Sequence, residues 1–243
     1  MTLPDNSFSQ TQLFDAHRSR FAEFLTIIDR YAPDFVRIGE NRPPQPRWDQ
    51  VWFPRLDACA AYTMVRETAP TRIVEIGAGH STRFLARAIH DGEFATRHTV
   101  IDPEPRATIA GLDVDWIDKP VQAVDLPALA AGDILFIDSS HVRAPESDVD
   151  HLIARVLPAL SMGVRIHFHD IFLPDPYPKI WANRRYNEQD GVEHLLTDDA
   201  YEIEFASRYV STRMADALAR SSVARLPMPD GAFENSLWLT RRR

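Results

Sequence analysis

The sequence predicts an α/β protein built on a doubly wound, mostly parallel sheet with helices on both faces. Two observations predict this fold. From residue 71 onward, short apolar runs alternate with helix-like stretches, and such an alternation builds a parallel sheet covered by helices. The apolar runs also end in or lead into acidic residues, and open parallel sheets bind ligands beyond the carboxyl ends of their strands. A chain of 243 residues is long enough for one sizeable domain with an added segment.

The first 70 residues are predicted to form a helical and proline-rich N-terminal extension. Apolar residues recur at helical spacing between residues 10 and 31, which predicts an amphipathic helix. Four prolines within residues 40–54 exclude regular structure there. A second helix is predicted from Leu56 to Glu67, and Cys59 within it is expected to be a small buried hydrophobe.

Residues 71–243 are predicted to form the sheet domain. Five strands are expected first, at residues 72–76, 98–102, 114–118, 133–138 and 164–170. The helix after the first strand is predicted to have Ser81 or Thr82 as its N-cap and to end at Gly92. The helix after the fourth strand is predicted to begin with a capping box of Ser147 and Asp150. A helix near residues 188–197 precedes two final strands, at 201–209 and 235–241, whose long connection predicts an antiparallel pair at the sheet edge.

Composition argues against several kinds of partner. The formal net charge of −8 disfavours a nucleic-acid surface, which needs clustered Lys and Arg. A single cysteine supplies neither a disulfide framework nor a thiolate metal site. The first residues lack the pattern of a secretory signal, and no run is apolar enough to span a bilayer. We therefore expect a cytoplasmic protein with no membrane and no nucleic-acid partner.

The most informative stretch is IVEIGAGHST, residues 73–82. Gly77 and Gly79 let the backbone turn sharply and pass close to a ligand, beside helix amides that favour electron-rich groups. Asp102 follows at the distance where an acid accepts ribose hydroxyls in nucleotide-binding folds. Both NAD and adenosyl cofactors use such an acid, so the turn alone does not choose between them.

Two residues favour an adenosyl cofactor over a dinucleotide. The dinucleotide fingerprint has a third glycine where this chain has Thr82. Glu75, at the strand end, would repel a pyrophosphate and attract the ammonium group of a methionine moiety. These residues therefore predict S-adenosylmethionine as the cofactor.

These motifs resemble those of class I S-adenosylmethionine-dependent methyltransferases. VEIGAGHST resembles their first motif and VIDPEP their acidic second motif, while DILFIDSSH and IHFHDIFLPDPYP resemble strand ends in a bacterial small-molecule branch, the methyltransferase domain 24 type. The resemblance spans roughly residues 52–239 and implies a Rossmann-like sheet of seven strands with an antiparallel last strand. The expected cofactor-binding residues are Glu75, Gly77, Gly79, Ser81, Asp102 and Asp138.

Metal-dependent O-methyltransferases of the catechol type offer an alternative role for the strand-end acids. They hold Mg²⁺ with an acid after strand four and an acid pair after strand five. Asp138 and Asp170 match the outer positions of that set, but His169 stands where the family has an acid, and Mg²⁺ prefers oxygen ligands. We keep Asp138 and Asp170 as candidate ligands of a divalent metal and favour a site without one.

His141 and His169 are the candidate catalytic residues, because each follows a strand end beside the expected methyl acceptor. An imidazole with a near-neutral pKa can take a hydroxyl proton during methyl transfer. His167 lies on the same strand as His169 and is expected to be buried packing. For His141, the structural alternative is a loop histidine that is hydrogen-bonded to Asp138.

The expected function is methyl transfer from S-adenosylmethionine to a small-molecule acceptor at a hydroxyl oxygen. Aromatic residues between positions 172 and 186 are expected to form a wall for the acceptor. Trp48, Trp52 and Phe53 are expected either to cover the cofactor or to dock the first helices. Two alternatives stay open, namely an NAD-binding oxidoreductase and an adenosyl-binding relative without methyltransferase activity. A homodimer is also left open.

Overall fold

The computed structural model describes residues 7–39, 42–197 and 199–243. Seven strands form one sheet: β1 Arg72–Ile76, β2 Arg97–Ile101, β3 Asp115–Ile117, β4 Ile134–Ile137, β5 Arg165–Phe168, β6 Tyr201–Ala206 and β7 Leu237–Arg241. The helices are α1 Ser7–Ala16, α2 Arg18–Arg30, α3 Ala32–Val36, α4 Arg55–Thr68, α5 His80–Asp91, α6 Asp148–His151, α7 Leu157–Ala159, α8 Glu188–Leu196, α9 Ser207–Arg213 and α10 Ala215–Arg220. A π-helical turn, Leu152–Val156, joins α6 to α7.

The strand order is β3-β2-β1-β4-β5-β7-β6. Strands β1 to β5 pair in parallel, and β7 runs antiparallel to both β5 and β6. The predicted doubly wound, Rossmann-like sheet with an antiparallel last strand is therefore confirmed. The last two strands form the expected antiparallel pair, with β6 outermost and β7 between β5 and β6. The strand order reverses between β1 and β4, which is where ligands bind in sheets of this kind.

The N-terminal helices pack against the far edge of the sheet. The single helix predicted for residues 10–31 is two helices, which meet at His17. Phe21 on α2 contacts Phe205 of β6 at 5.9 Å and Tyr209 at 5.5 Å between ring centroids. These residues join the main hydrophobic core. The predicted domain division at residue 70 stays a prediction, and residues 1–6 of the extension lie outside the described residues.

The caps of two helices differ in detail from the expected ones. Helix α5 has Gly79 as its N-cap, so Ser81 and Thr82 lie inside the first turn. The reason is that the hydroxyl of Thr82 accepts a hydrogen bond from the Gly79 amide at 3.0 Å. Ser147 does cap α6, accepting from the Asp150 amide at 3.1 Å. The Asp150 carboxylate, however, bonds a nearby arginine instead of completing the capping box.

Within the described ranges, no helix combines the length and apolar character needed to cross a membrane.

Candidate functional site

A cavity of about 570 Å³ opens at the carboxyl ends of β1, β2 and β4. It lies where the strand order reverses, and its volume is within the range of small-molecule and cofactor sites. Five of the predicted cofactor-binding residues line it, namely Gly77, Gly79, Ser81, Asp102 and Asp138. The sheet topology thus brings together residues that are up to 61 positions apart, from Gly77 to Asp138.

The two glycines of the turn serve different purposes. Gly77 has φ +87°, and a Cβ there would lie 1.9 Å from the carbonyl oxygen of Asp138. A side chain at position 77 would therefore break the junction of β1 with the end of β4. Gly79 has an extended backbone, and the nearest atom to an added Cβ is Arg106 Cβ at 3.8 Å. Gly79 therefore leaves space that the fold itself does not fill.

Asp102 fixes the turn from the neighbouring strand. Its Oδ2 accepts a hydrogen bond from the Ala78 amide at 2.6 Å, and its Oδ1 accepts from the Glu104 amide at 2.7 Å. The side chain is half-buried and lines the cavity. An ionised carboxylate has about four acceptor positions, so Asp102 can accept further hydrogen bonds from hydroxyl groups.

Glu75 is not brought to the cavity. Its side chain is fully buried, Oε1 accepts from the Ser81 hydroxyl at 2.6 Å and Oε2 accepts from His98 Nε2 at 2.9 Å. The carboxylate therefore ties β1 to β2 and to the first turn of α5. Ser81, which it holds, lines the cavity. The expected contact of Glu75 with a cofactor ammonium stays a prediction.

Four strand-end side chains converge behind the cavity. His141 Nε2 lies 3.2 Å from Asp138 Oδ1 and 3.5 Å from Asp170 Oδ2. His169 Nδ1 lies 3.5 Å from Asp138 Oδ1 and 3.6 Å from Asp170 Oδ1. Asp138 lines the cavity, whereas the two histidines and Asp170 do not. The four side chains lie together, with Asp138 between the histidines and the open space.

Two buried carboxylates that sequence reasoning missed complete this cluster. Glu188, the first residue of α8, lies 2.8 Å from His141 Nδ1, and Asp57 of α4 lies 3.6 Å from His169 Nε2. Each histidine is thus flanked by carboxylates on both ring nitrogens. Glu188 and Asp57 escaped notice because they come from helices and not from strand ends. Asp57 is an acid among the apolar residues of α4. That pattern in the sequence could have marked it as a buried, functional carboxylate.

The charges of the cluster correct the expectation of near-neutral histidines. Burial would lower the pKa of His141, but hydrogen bonds to Asp138 and Glu188 raise it well above its usual value. Burial would likewise lower the pKa of His169, and the charges of Asp138 and Asp170 raise it instead. Burial would raise the pKa of Asp138, yet the two histidines hold it well below its usual range. The raised pKa of each ring favours its imidazolium form, which has no lone pair free to take a proton.

The same pairing bears on the metal hypothesis. An imidazole that carries two protons cannot ligate a metal, because metal binding requires the neutral ring. Across the part of the chain that the structure describes, no group of three or more His, Cys, Asp or Glu is arranged to hold a metal ion. Paired with one another in this way, the described side chains do not form a metal site. Asp138 and Asp170 as ligands stay a prediction.

An aromatic wall closes one side of the cavity. Trp52 and Phe53 both line it, and the Trp52 ring lies parallel to that of His80 at 5.4 Å. Gln50 fixes this wall, since its Oε1 accepts from the Trp52 and Phe53 amides at 2.9 and 2.7 Å. Trp48, by contrast, is buried in the core. Trp52 therefore lines the cavity, and Trp48 packs against Phe35 of α3. Phe53 lines the cavity and packs against Phe84 of α5 and Phe136 of β4.

Glu188→Gln is expected to lower the free energy of unfolding by about 1.5–3 kcal/mol, the scale of a hydrogen bond to a charged group. The reason is that Glu188 is 1% exposed and bonds the charged His141. Urea denaturation checks the loss, with Asp190→Asn on the exposed face of the same helix as the matched control. Equal stability of the two variants would show that the buried pair is not charged.

Comparison with known proteins gives three results. Residues 74–171 match a family profile described as a methyltransferase domain. That segment runs from β1 to just past β5 and contains the glycine turn and all four strand-end residues of the cluster. No curated protein matches the chain in sequence.

Solved structures show the same fold at low identity. A putative O-methyltransferase from Klebsiella pneumoniae superposes with a TM-score of 0.50 and 16% identity, over 89% of this chain and 90% of that chain. The plantazolicin methyltransferase BpumL, in complex with a pentazolic desmethylPZN analog and SAH, gives a TM-score of 0.51 and 16% identity, over 93% and 99% of the two chains. The sheet and its flanking helices are therefore those of known methyltransferases.

Proposed function

We propose that this protein transfers a methyl group from S-adenosylmethionine to a hydroxyl oxygen of a small molecule, because residues 74–171 match a methyltransferase-domain profile and the sheet has the fold of known methyltransferases. The observation that carries this proposal is the cavity at the strand reversal, lined by Gly77, Gly79, Ser81 and Asp102. Its volume and the unfilled space at Gly79 fit a bound cofactor. No observation favours a dinucleotide, whose fingerprint has a third glycine, for close packing of the helix on the sheet, where this chain has Thr82.

S-adenosylmethionine, when bound, supplies an electrophilic methyl group on a positively charged sulfur. The acceptor's hydroxyl oxygen attacks the methyl carbon while the carbon–sulfur bond breaks, leaving its electron pair on sulfur. The hydroxyl proton must then leave the oxygen. The protein's task is to align the acceptor with the methyl group and to receive this proton.

Asp138 is the residue that we propose as the acceptor of this proton. It lines the cavity and is ionised, because its pKa is held well below the usual range by the two histidines. The hydroxyl becomes more acidic as its oxygen gains the methyl group, so an ionised carboxylate beside it can take the proton as the methyl transfers. His141 and His169 act as positioning residues that hold Asp138 in place and keep it charged.

The activity test uses S-adenosylmethionine with a panel of phenols and sugar hydroxyls, analysed by mass spectrometry. The expected result is an acceptor that gains the mass of one methylene unit together with an equal amount of S-adenosylhomocysteine. Cofactor binding without turnover of any acceptor would favour an adenosyl-binding relative. Reduction of NAD by a substrate would favour an oxidoreductase.

Asp102→Ala is expected to weaken S-adenosylhomocysteine binding by about 1.5–3 kcal/mol, the scale of charge-assisted hydrogen bonds. Asp102 can accept the ribose hydroxyls, and it also holds the Ala78 amide of the turn. Isothermal titration measures the loss. Asp118→Ala is the matched control, because Asp118 follows β3 in the same way and does not line the cavity. Unchanged affinity in a folded Asp102→Ala protein would remove Asp102 from the site.

A further inference from the structure

The connection between β5 and α8 carries a local excess of positive charge. Residues 176–187 contain Lys179, Arg184 and Arg185 and no acidic residue, in a chain whose formal net charge is −8. All three cations are exposed. An uncompensated cluster of cations in an acidic protein is a feature that attracts anions.

The acidic residues that flank this segment, Asp175 and Glu188, are paired with other side chains. Asp175 accepts from Arg208 Nε at 3.0 Å and from Arg213 Nη1 at 2.7 Å. Glu188 is bonded to His141 at 2.8 Å. Among the described residues, no carboxylate lies within ion-pairing distance of the three cations of the segment.

Of these three cations, Arg184 is held in place by aromatic rings. Its Cζ lies 4.0 Å from the ring centroid of Trp181 and 5.5 Å from that of Tyr186. Trp181 is in turn fixed by Phe172 at 5.0 Å and Phe233 at 5.6 Å between centroids. A guanidinium that stacks on rings keeps the edge of its planar fork free, and that edge matches a carboxylate or phosphate.

The segment adjoins the reactive end of the site. The Tyr186 ring lies 4.7 Å from that of His141, which bonds Asp138 at the cavity. Gln189 anchors the segment to α8, accepting from the Phe172 amide at 2.7 Å and donating to the Asp175 carbonyl at 2.9 Å. Tyr186, Trp181 and Arg184 do not line the cavity itself, and His141 lies between Tyr186 and the proposed proton acceptor Asp138.

We propose that the methyl acceptor is a planar aromatic molecule with an acidic group, and that Arg184 binds this group. The inference rests on the proposed function and names the substrate class of the same site. The aromatic body packs against Tyr186 and Trp181, the acidic group pairs with the Arg184 guanidinium, and a hydroxyl on the ring reaches Asp138. Ile180, next to Trp181 in the chain, is an exposed apolar side chain of the same segment.

Isothermal titration of the protein saturated with S-adenosylhomocysteine tests the proposal. The probes are matched pairs of hydroxylated benzoates and their neutral methyl esters, beginning with 3,4-dihydroxybenzoate. We expect the acid to bind about tenfold more tightly than its ester, the scale of one charge-assisted contact. Arg184→Gln should erase this preference, and Lys179→Gln, which removes the same charge from the same segment, should retain it.

Three outcomes would overturn the proposal: esters that bind as tightly as their acids, a preference that survives in Arg184→Gln, or a panel in which no acid binds. Because Arg184 is exposed, the variant is expected to fold, and circular dichroism checks this. Titration with S-adenosylhomocysteine alone is carried out first. A failure there counts against the proposed function, whereas normal cofactor binding with no acid preference counts against the inference about Arg184 alone.

Discussion

Gly79→Val is expected to abolish S-adenosylhomocysteine binding while the sheet still folds. At position 79 the backbone is extended and the nearest atom to an added Cβ is 3.8 Å away, so the protein itself has room for a side chain. A valine would instead occupy space at the cavity that Gly79 lines. We expect a loss of at least about 100-fold in affinity, measured by isothermal titration.

Gly79→Ala and Gly77→Ala are the controls for this result. Gly79→Ala is expected to fold normally and to bind with intermediate affinity, because it adds a smaller group at the same place. Gly77→Ala is expected to lose stability in urea denaturation, since its Cβ would overlap the Asp138 carbonyl and its φ is +87°. Normal binding by Gly79→Val would mean that the turn is only structural and that the cofactor site lies elsewhere.

Asp138→Asn is expected to lower kcat by about 10²–10⁴-fold, the usual size of a lost acid–base group. The amide cannot receive the proton of the acceptor hydroxyl. His141→Ala and His169→Ala are expected to lose kcat as well, because each removes a cation that keeps Asp138 ionised and in place. Asp118→Asn, at the equivalent position after β3, is expected to be fully active.

Activity measured in the presence of a chelator distinguishes proton acceptance by Asp138 from the metal hypothesis. If Asp138 and Asp170 hold a divalent cation, chelation should abolish activity, and Asp138→Asn and Asp170→Asn should each lose metal-dependent turnover. If Asp138, held by the two histidines, accepts the proton without a metal, activity should persist in the presence of the chelator. Full activity in the chelator and in the Asp138 and histidine variants would leave alignment and exclusion of water alone to explain the rate.

The sheet could be predicted from the sequence because its strands contain short apolar runs, most clearly in β1 and β4. In β1, Ile73, Val74 and Ile76 are at most 3% exposed, as a strand covered on both faces requires. Each strand end was therefore marked by the change to a polar residue. The same logic placed Asp102 and Asp138 at one edge, and the cavity there is lined by both.

Other features depend on packing that local sequence does not encode. Glu75 looked like a ligand-facing acid, but its partners Ser81 and His98 lie six and 23 residues away and enclose it completely. The charge of His141 depends on Glu188, which is 47 residues distant along the chain. A pKa is set by such neighbours and by burial, so the expectation of near-neutral histidines failed for a tertiary reason.

The backbone conformation at the site could not be predicted from the sequence either. His141 and Asp170 both have left-handed φ angles, of +60° and +55°. Residues other than glycine adopt this conformation when surrounding contacts impose it, and such positions cluster at functional sites. Here the His141 carbonyl accepts from the amides of Asn187 and Glu188, at 3.1 and 3.2 Å, and Asp170 is bonded by Asn235 at 2.8 Å. Those contacts come from α8 and from the residues before β7, which no local pattern connects to the strand ends.

Isothermal titration of the wild-type protein with S-adenosylhomocysteine, and separately with NAD, tests the central claim most directly. We expect S-adenosylhomocysteine to bind at one site per chain and NAD to give no heat of binding. Gly79→Val and Asp102→Ala should each weaken the binding of S-adenosylhomocysteine. Binding of NAD with no response to S-adenosylhomocysteine would contradict this claim, and would assign the cavity between β1 and β4 to a dinucleotide.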